Sequence, residues 1–196
     1  MIALVFGFFA YLLGSISSAI VVSKIFGLDD PRNVGSGNPG ATNVLRSGNK
    51  TAAGITLAGD ILKGFIPVLI ANLATNNPIA LAFAALGTFL GHLYPLYYGF
   101  KGGKGVATML GIFLALNPLT FLAMALIWLL TAKIFKISSL ASLTAAGTAL
   151  FISFFSSSIP ILGATFAIVA LLFWKHKDNI ERLRAGTESK IGEKSK

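Results

Sequence analysis

The sequence predicts an all-α, polytopic membrane helix bundle: one integral-membrane domain over 1–196, ending in a basic cytoplasmic tail at 175–196. Three observations carry this. Of 196 residues, 55% are hydrophobic and only 12% are charged, whereas a soluble domain carries roughly 25% charged residues. The apolar residues fall into long runs separated by short polar breaks. The basic residues, 16 Lys plus Arg against 7 Asp plus Glu, crowd into alternate breaks, the pattern of a multi-pass protein with basic loops inside. The same composition excludes a disordered chain. Without cysteine there is no thiol chemistry, and two histidines are too few for a His-rich metal site. A net charge of +9 would suggest nucleic acid in a soluble protein. In a membrane bundle it marks cytoplasmic loops and an anionic substrate, and no nucleic-acid partner is expected.

The elements follow in order. Residues 1–23 carry no charge and no basic stretch precedes them, so they read as a retained first span rather than a cleaved signal. The second run, 51–73, holds Asp60 and Lys63. They lie three apart and share a helical face, so a structural ion pair is expected. A third run, 78–98, has His92 near its end. The fourth, 106–132, is interrupted by Asn117-Pro118. A turn there puts the loops 24–50, 99–105 and 133–137 on one face with the tail, together with every Lys and Arg except Lys63. The opposite turns, 74–77, 117–118 and 156–158, are then uncharged. With 138–155 and 159–174, this gives seven transmembrane segments, N-terminus outside and C-terminus inside. Two of them are short: the segments flanking Asn117-Pro118 reach roughly 20 Å each, against a ~30 Å hydrocarbon core.

Polar chemistry concentrates on the predicted cytoplasmic face. In the stretch 35–46, Gly35, Gly37 and Gly40 permit positive φ and a nest of N–H groups aimed at an anion. Ser36, Asn38, Thr42 and Asn43 add neutral donors, and Arg46 adds a fork for phosphate. A second stretch, Phe100-Lys101-Gly102-Gly103-Lys104-Gly105-Val106, opens a helix. A glycine turn at a helix N-terminus is a ready anion site, and Lys101 and Lys104 reinforce it. It is not a Walker A loop, whose spacing is absent. Beyond the last span, His176 and Asn179 lie one turn apart on one face of a helix that Gly186 ends. The plain alternatives are a flexible linker, a basic topology signal and a solvated tail. A transporter or channel for an anionic solute is the alternative function, disfavoured because the outer turns carry no recognition groups.

Together these stretches resemble one family, the bacterial integral-membrane acyl-phosphate:glycerol-3-phosphate acyltransferases. The residues that carry it are 35–46, Asp60-x-x-Lys63-Gly64, Gly91-His92-x-x-Pro95, 100–108, and His176-x-x-Asn179 through Glu188. Gly14-Ser15-Ile16-Ser17-Ser18 departs from the family, which usually has Pro here. The His-x-x-x-x-Asp motif of soluble-type glycerolipid acyltransferases is absent. The resemblance implies acyl transfer from acyl-phosphate to glycerol-3-phosphate at the cytoplasmic face of a bacterial plasma (inner) membrane, with no cofactor. It also implies membrane lipid around the chain and, as a partner, the soluble enzyme that makes acyl-phosphate. Catalytic roles fall to Ser36, Asn38, His92, Lys104, His176, Asn179 and Glu188. Substrate binding falls to Gly35, Gly37, Gly40, Thr42, Asn43, Arg46, Lys101, Gly102, Gly103 and Ser142.

Overall fold

The structure, a computed structural model, describes residues 1–191. The end of the predicted tail, 192–196, lies outside the described residues. Helices follow one another as α1 (Ile2–Gly14), α2 (Ser18–Ile25), α3 (Ala41–Arg46), α4 (Lys50–Ala74) and α5 (Pro78–Leu93), then α6 (Val106–Leu116), α7 (Pro118–Phe135), α8 (Ser138–Ser156), α9 (Ile159–Lys175) and α10 (Lys177–Arg184). Among the described residues five stretches are long and apolar enough to cross a membrane: Ile2–Ile25, α4, Pro78–Tyr98, α7 and α8. α9 with α10, bent by 60°, makes a sixth if the pair is one span. The chain is therefore a multi-pass membrane helix bundle.

Two expectations change. The first span is broken: α1 stops at Gly14 and α2 begins at Ser18. A carbonyl freed inside a bilayer must find a donor, and Lys63 Nζ donates to Ile16 O at 2.9 Å. Ser17 accepts the Ile20 N–H and caps α2. Second, only one of the two segments expected to be short is short. α6 has 11 residues, about 16 Å. α7 has 18, about 27 Å, because it continues through Lys133. A lysine in the last turn meets the negative end of the helix dipole while its stem lies along apolar surface, so the charge does not stop the helix. The turn between α6 and α7 forms where expected. Asn117 accepts the N–H groups of Leu119 and Thr120 at 3.1 and 3.2 Å, and Pro118 occupies the first helical position, where no N–H is needed.

Close helix crossings are made by glycine, as is usual where lipid replaces water and van der Waals contact does the packing. A Cβ on Gly14 would strike the Thr88 backbone, and Cβ atoms on Gly87 and Gly91 would strike Gly7 and Tyr11, so α1 and α5 nearly touch. Gly64 against Thr108 and Gly111 against Ile61 bring α4 equally close to α6. Phe89, Leu93, Met109, Ile112, Phe113 and Leu172 fill the core. α6 lies between α4 and α7, and α7 packs on α8.

Candidate active site

Four parts of the chain meet at the basic end of the bundle around one cavity of about 580 Å³. The first is the loop before α3. Its base is held by the Asp30–Arg32 ion pair at 2.7 Å and by Arg32 Nη1 donating to Tyr98 O at 3.2 Å. The Arg32 guanidinium holds the Asp30 carboxyl below its ordinary pKa. Gly35 and Gly37 have φ of +59° and +67°, which glycine adopts without strain. Asn43 stands in the cavity wall, as expected, and also holds the loop. Its Oδ1 accepts the Ser36 N–H at 2.9 Å, and its Nδ2 donates to Pro31 O at 2.7 Å and Val34 O at 3.0 Å. The expected nest of free N–H groups is also corrected. Ser36 N–H goes to Asn43, Gly37 N–H to Val34 O at 3.0 Å and Gly40 N–H to Asn38 O at 2.9 Å. Gly35 and Gly37 stand behind the wall and Gly40 in it, so the polar residues that line the cavity from this loop and α3 are Ser36, Asn38, Thr42, Asn43 and Arg46.

The second part is the turn into α6. Here the anion-nest expectation for Gly102 and Gly103 fails. Gly103 N–H donates to His92 O at 3.1 Å, and a Cβ on either glycine would collide with His92. These glycines allow close approach. Lys101 is exposed and outside the cavity wall. Lys104 is the residue this turn delivers: it lines the cavity and its Nζ donates to Asn179 Oδ1. Burial pushes the Lys104 ammonium below its ordinary pKa, and the neighbouring Arg182 adds to this, against Glu188 and Asp178.

The third part is the chain from the end of α9 to Ser189. Glu188 is its hub. Asn179 Nδ2 and Ser139 Oγ donate to Oε1 at 2.6 and 2.7 Å, and Arg182 Nε donates to Oε2 at 2.6 Å. Burial alone would raise the carboxyl pKa; the three hydrogen bonds outweigh it and hold it below the ordinary value. Arg46 Nη2 donates to Ser189 Oγ at 2.7 Å. His176 and Asn179 are both buried. His176 Nδ1 lies 2.8 Å from Leu172 O and donates to it, which leaves Nε2 as the ring's open polar atom.

The start of α8 is the fourth part. Ser142 Oγ donates to Ser138 O at 2.8 Å and accepts the Trp128 indole N–H at 3.3 Å. Its proton is therefore already placed. Beneath the turn, His92 Nδ1 lies 3.1 Å from Thr108 Oγ1 and 3.7 Å from Asp60 Oδ1. The Asp60–Lys63 pair is present at 2.9 Å, and Asp60 and His92 both also border the cavity. The other end of the cavity is apolar, with Leu57 and Ile61 from α4, Leu110 from α6, and Phe121, Ala125 and Trp128 from α7. Ser139, Arg182, Ser189 and Trp128 escaped the sequence reading as site residues. Arg182 stood inside a recognised motif; the others carried no spacing or composition signal.

A cationic, hydrogen-bonding end joined to an apolar slot between helices suits an amphiphile carrying phosphate. The family model for glycerol-3-phosphate acyltransferase matches residues 4–186. The chain belongs to the glycerol-3-phosphate acyltransferase family. It is 52% identical over 195 residues to the glycerol-3-phosphate acyltransferase of Thioalkalivibrio sulfidiphilus, covering 99% of this chain and 95% of that one. The Neisseria meningitidis serogroup B member is 53% identical over 188 residues, covering 93% and 94%. Two crystal structures of PlsY, an integral membrane glycerol 3-phosphate acyltransferase, superpose closely. The glycerol 3-phosphate form has a TM-score of 0.91 at 44% identity, covering 97% of this chain and 96% of that one. The lysophosphatidic acid form has 0.90 at 42%, covering 97% and 95%.

Proposed function

We propose that this family member transfers a fatty acyl group from acyl-phosphate to glycerol-3-phosphate, giving lysophosphatidic acid and inorganic phosphate in phospholipid synthesis. The observation that carries this is the single cavity whose cationic end, with Lys104 and Arg46, runs directly into an apolar slot. The glycerol-3-phosphate hydroxyl oxygen attacks the acyl carbonyl carbon. The bond from that carbon to the phosphate oxygen breaks, and phosphate leaves with the hydroxyl proton. Lys104 and Arg46 neutralise phosphate, while Ser36, Asn38 and Thr42 orient it. His176 Nε2 accepts from the second, non-attacking glycerol hydroxyl and so orients the acceptor.

The proton goes to a substrate phosphate, whose second pKa is near 6. Each protein candidate is committed elsewhere. Glu188 accepts from three groups, Asp60 faces Lys63, and His92, in the cavity wall, has Nδ1 on Thr108 and Nε2 packed against Gly103. His176 has a backbone carbonyl, not a carboxylate, behind its Nδ1, so no partner steadies an imidazolium as in a catalytic triad. The protein's contribution is positioning and charge neutralisation. Acyl-phosphate is already activated, so no metal or cofactor step is needed.

In the same reading α6 is a short seventh span, the N-terminus lies outside and the site faces the cytoplasm of a bacterial inner membrane. The soluble enzyme that makes acyl-phosphate supplies the donor there. Phosphate release by purified protein given acyl-phosphate and glycerol-3-phosphate tests the reaction. Activity that required acyl-CoA and ignored acyl-phosphate would overturn it.

A further inference from the structure

We infer that the protein selects its donor by the part of the acyl chain nearest the carbonyl rather than by total length, and that Ala125 sets this selection. The inference rests on the acyl-phosphate reading above. The apolar end of the cavity is a trough: Leu110 of α6 is its floor, Leu57 and Ile61 of α4 one wall, and α7 the other. Among the described residues no packed interface joins α4 to α7; each packs on α6 from its own side. The lips of the trough are Leu57 and Leu129. Both line the cavity, yet they are 43% and 61% exposed. The trough is thus open sideways to the apolar surface of the bundle, where lipid lies.

Such a trough walls in only part of a chain. Phe121, Ala125 and Trp128 lie on one face of α7 at helical spacing. From Trp128 to Phe121 the helix rises about 10 Å, a third of a ~30 Å hydrocarbon core. Past that point an acyl tail meets lipid, which does not discriminate its length. Near the carbonyl the walls are fixed. The Trp128 indole is held by Ser142, itself bonded to Ser138 O. One turn deeper, Ala125 is the smallest side chain on the α7 wall and leaves the width that a chain occupies. A hydrophobic pocket resolves one methylene by roughly 10- to 200-fold, so bulk at this level is penalised.

The test is kinetic, on the full-length protein in lipid nanodiscs. Donors are straight-chain acyl-phosphates of several lengths and one with a methyl branch next to the carbonyl. Wild type should show little change in kcat/KM with length, and a loss of about tenfold or more for the branched donor. Ala125→Leu should lower kcat/KM for every straight-chain donor by about tenfold with the KM for glycerol-3-phosphate unchanged. Ala125→Gly, which cannot overfill the site, should relieve the branch penalty. Leu122→Phe, on the exposed face of the same helix, should match wild type. A sharp length optimum that moves in Phe121→Ala, or an undiminished branch penalty in Ala125→Gly, overturns the inference. Absence of phosphate release from every acyl-phosphate, with turnover of another acyl donor, instead defeats the donor reading.

Discussion

Lys104 and Glu188 are joined through Asn179 and not by a direct ion pair. The asparagine carbonyl oxygen accepts from the ammonium, and its amide donates to the carboxylate at 2.6 Å. A carboxylate in direct contact would compete with phosphate for the lysine. Placed one side chain back, it orients Asn179 and Arg182 and leaves the Lys104 charge facing the cavity. Lys104, Asn179 and Arg182 are thereby held in place before any ligand arrives, the kind of preorganisation that lowers reorganisation in a transition state.

Loss of either cation that lines the cavity should cripple the reaction. A charge-assisted hydrogen bond to a buried anion is worth about 1.5–3 kcal/mol, or roughly 10- to 100-fold. Arg46→Ala and Lys104→Ala should each lower kcat/KM by that factor. Lys104→Arg should recover only part, because a planar fork does not reproduce a point charge. Near-normal steady-state kinetics in both alanine variants would show that these side chains serve topology alone.

The two histidines should behave differently from bases. His176→Gln keeps hydrogen-bonding capacity and cannot titrate; a loss of about 10-fold with an unchanged pH–rate shape is expected, whereas removing a general base costs roughly 100- to 10,000-fold. His92→Gln should show chiefly in thermal stability, since the buried His92 ring packs its Nδ1 against Thr108 and Asp60. A collapse of kcat beyond about 10,000-fold in either variant, with binding intact, would identify a protein base.

Acid should unlock the hub at Glu188. Its carboxyl pKa is depressed in the folded state below 4.5. The ionised hub therefore contributes its full stability above that value and loses it as pH falls through the lower folded pKa. Melting curves of wild type and Glu188→Gln, taken in micelles from about pH 7 to about pH 3, should differ by a constant amount above about pH 5 and converge below it. A gap that stayed constant down to the lowest pH would exclude the linkage.

Single cysteines give the topology directly, because the native chain has none. Cysteines replacing Asn76 and Ser157 should react with impermeant thiol reagents from outside intact cells, and one replacing Ser189 should not. External labelling at Ser189 would reverse the proposed orientation.

The sequence reading succeeded where a residue type has one use. Asn117-Pro118 can scarcely do anything but cap and begin a helix, and it does both. Asp60 and Lys63, one turn apart in an apolar run, had to meet, and they do. It went wrong where one residue type serves two ends. Asn43 does line the cavity, but both its amide hydrogens go to the loop, to Pro31 and Val34. Gly102 and Gly103 look like a phosphate nest but exist to let the chain pass His92. Lys133 looked like a span boundary because hydropathy counts its charge and ignores its stem. Ser139 and Ser189 were invisible, since only the fold brings them to Glu188 and Arg46.

The glycine crossings divide this protein into regions an engineer can and cannot alter. Alanine at Gly14, Gly64, Gly87 or Gly111 would drive a methyl into a neighbouring backbone, so these seams tolerate nothing larger than hydrogen. Gly54, Gly147 and Gly163 sit in helices with nothing within 4 Å of a new Cβ. Alanine there should narrow the unfolded ensemble and raise stability by about 0.4–1 kcal/mol per site. A triple variant that melts higher in detergent at unchanged turnover would be a sturdier starting point for ligand-bound crystallography, and it would leave the walls of the cavity untouched.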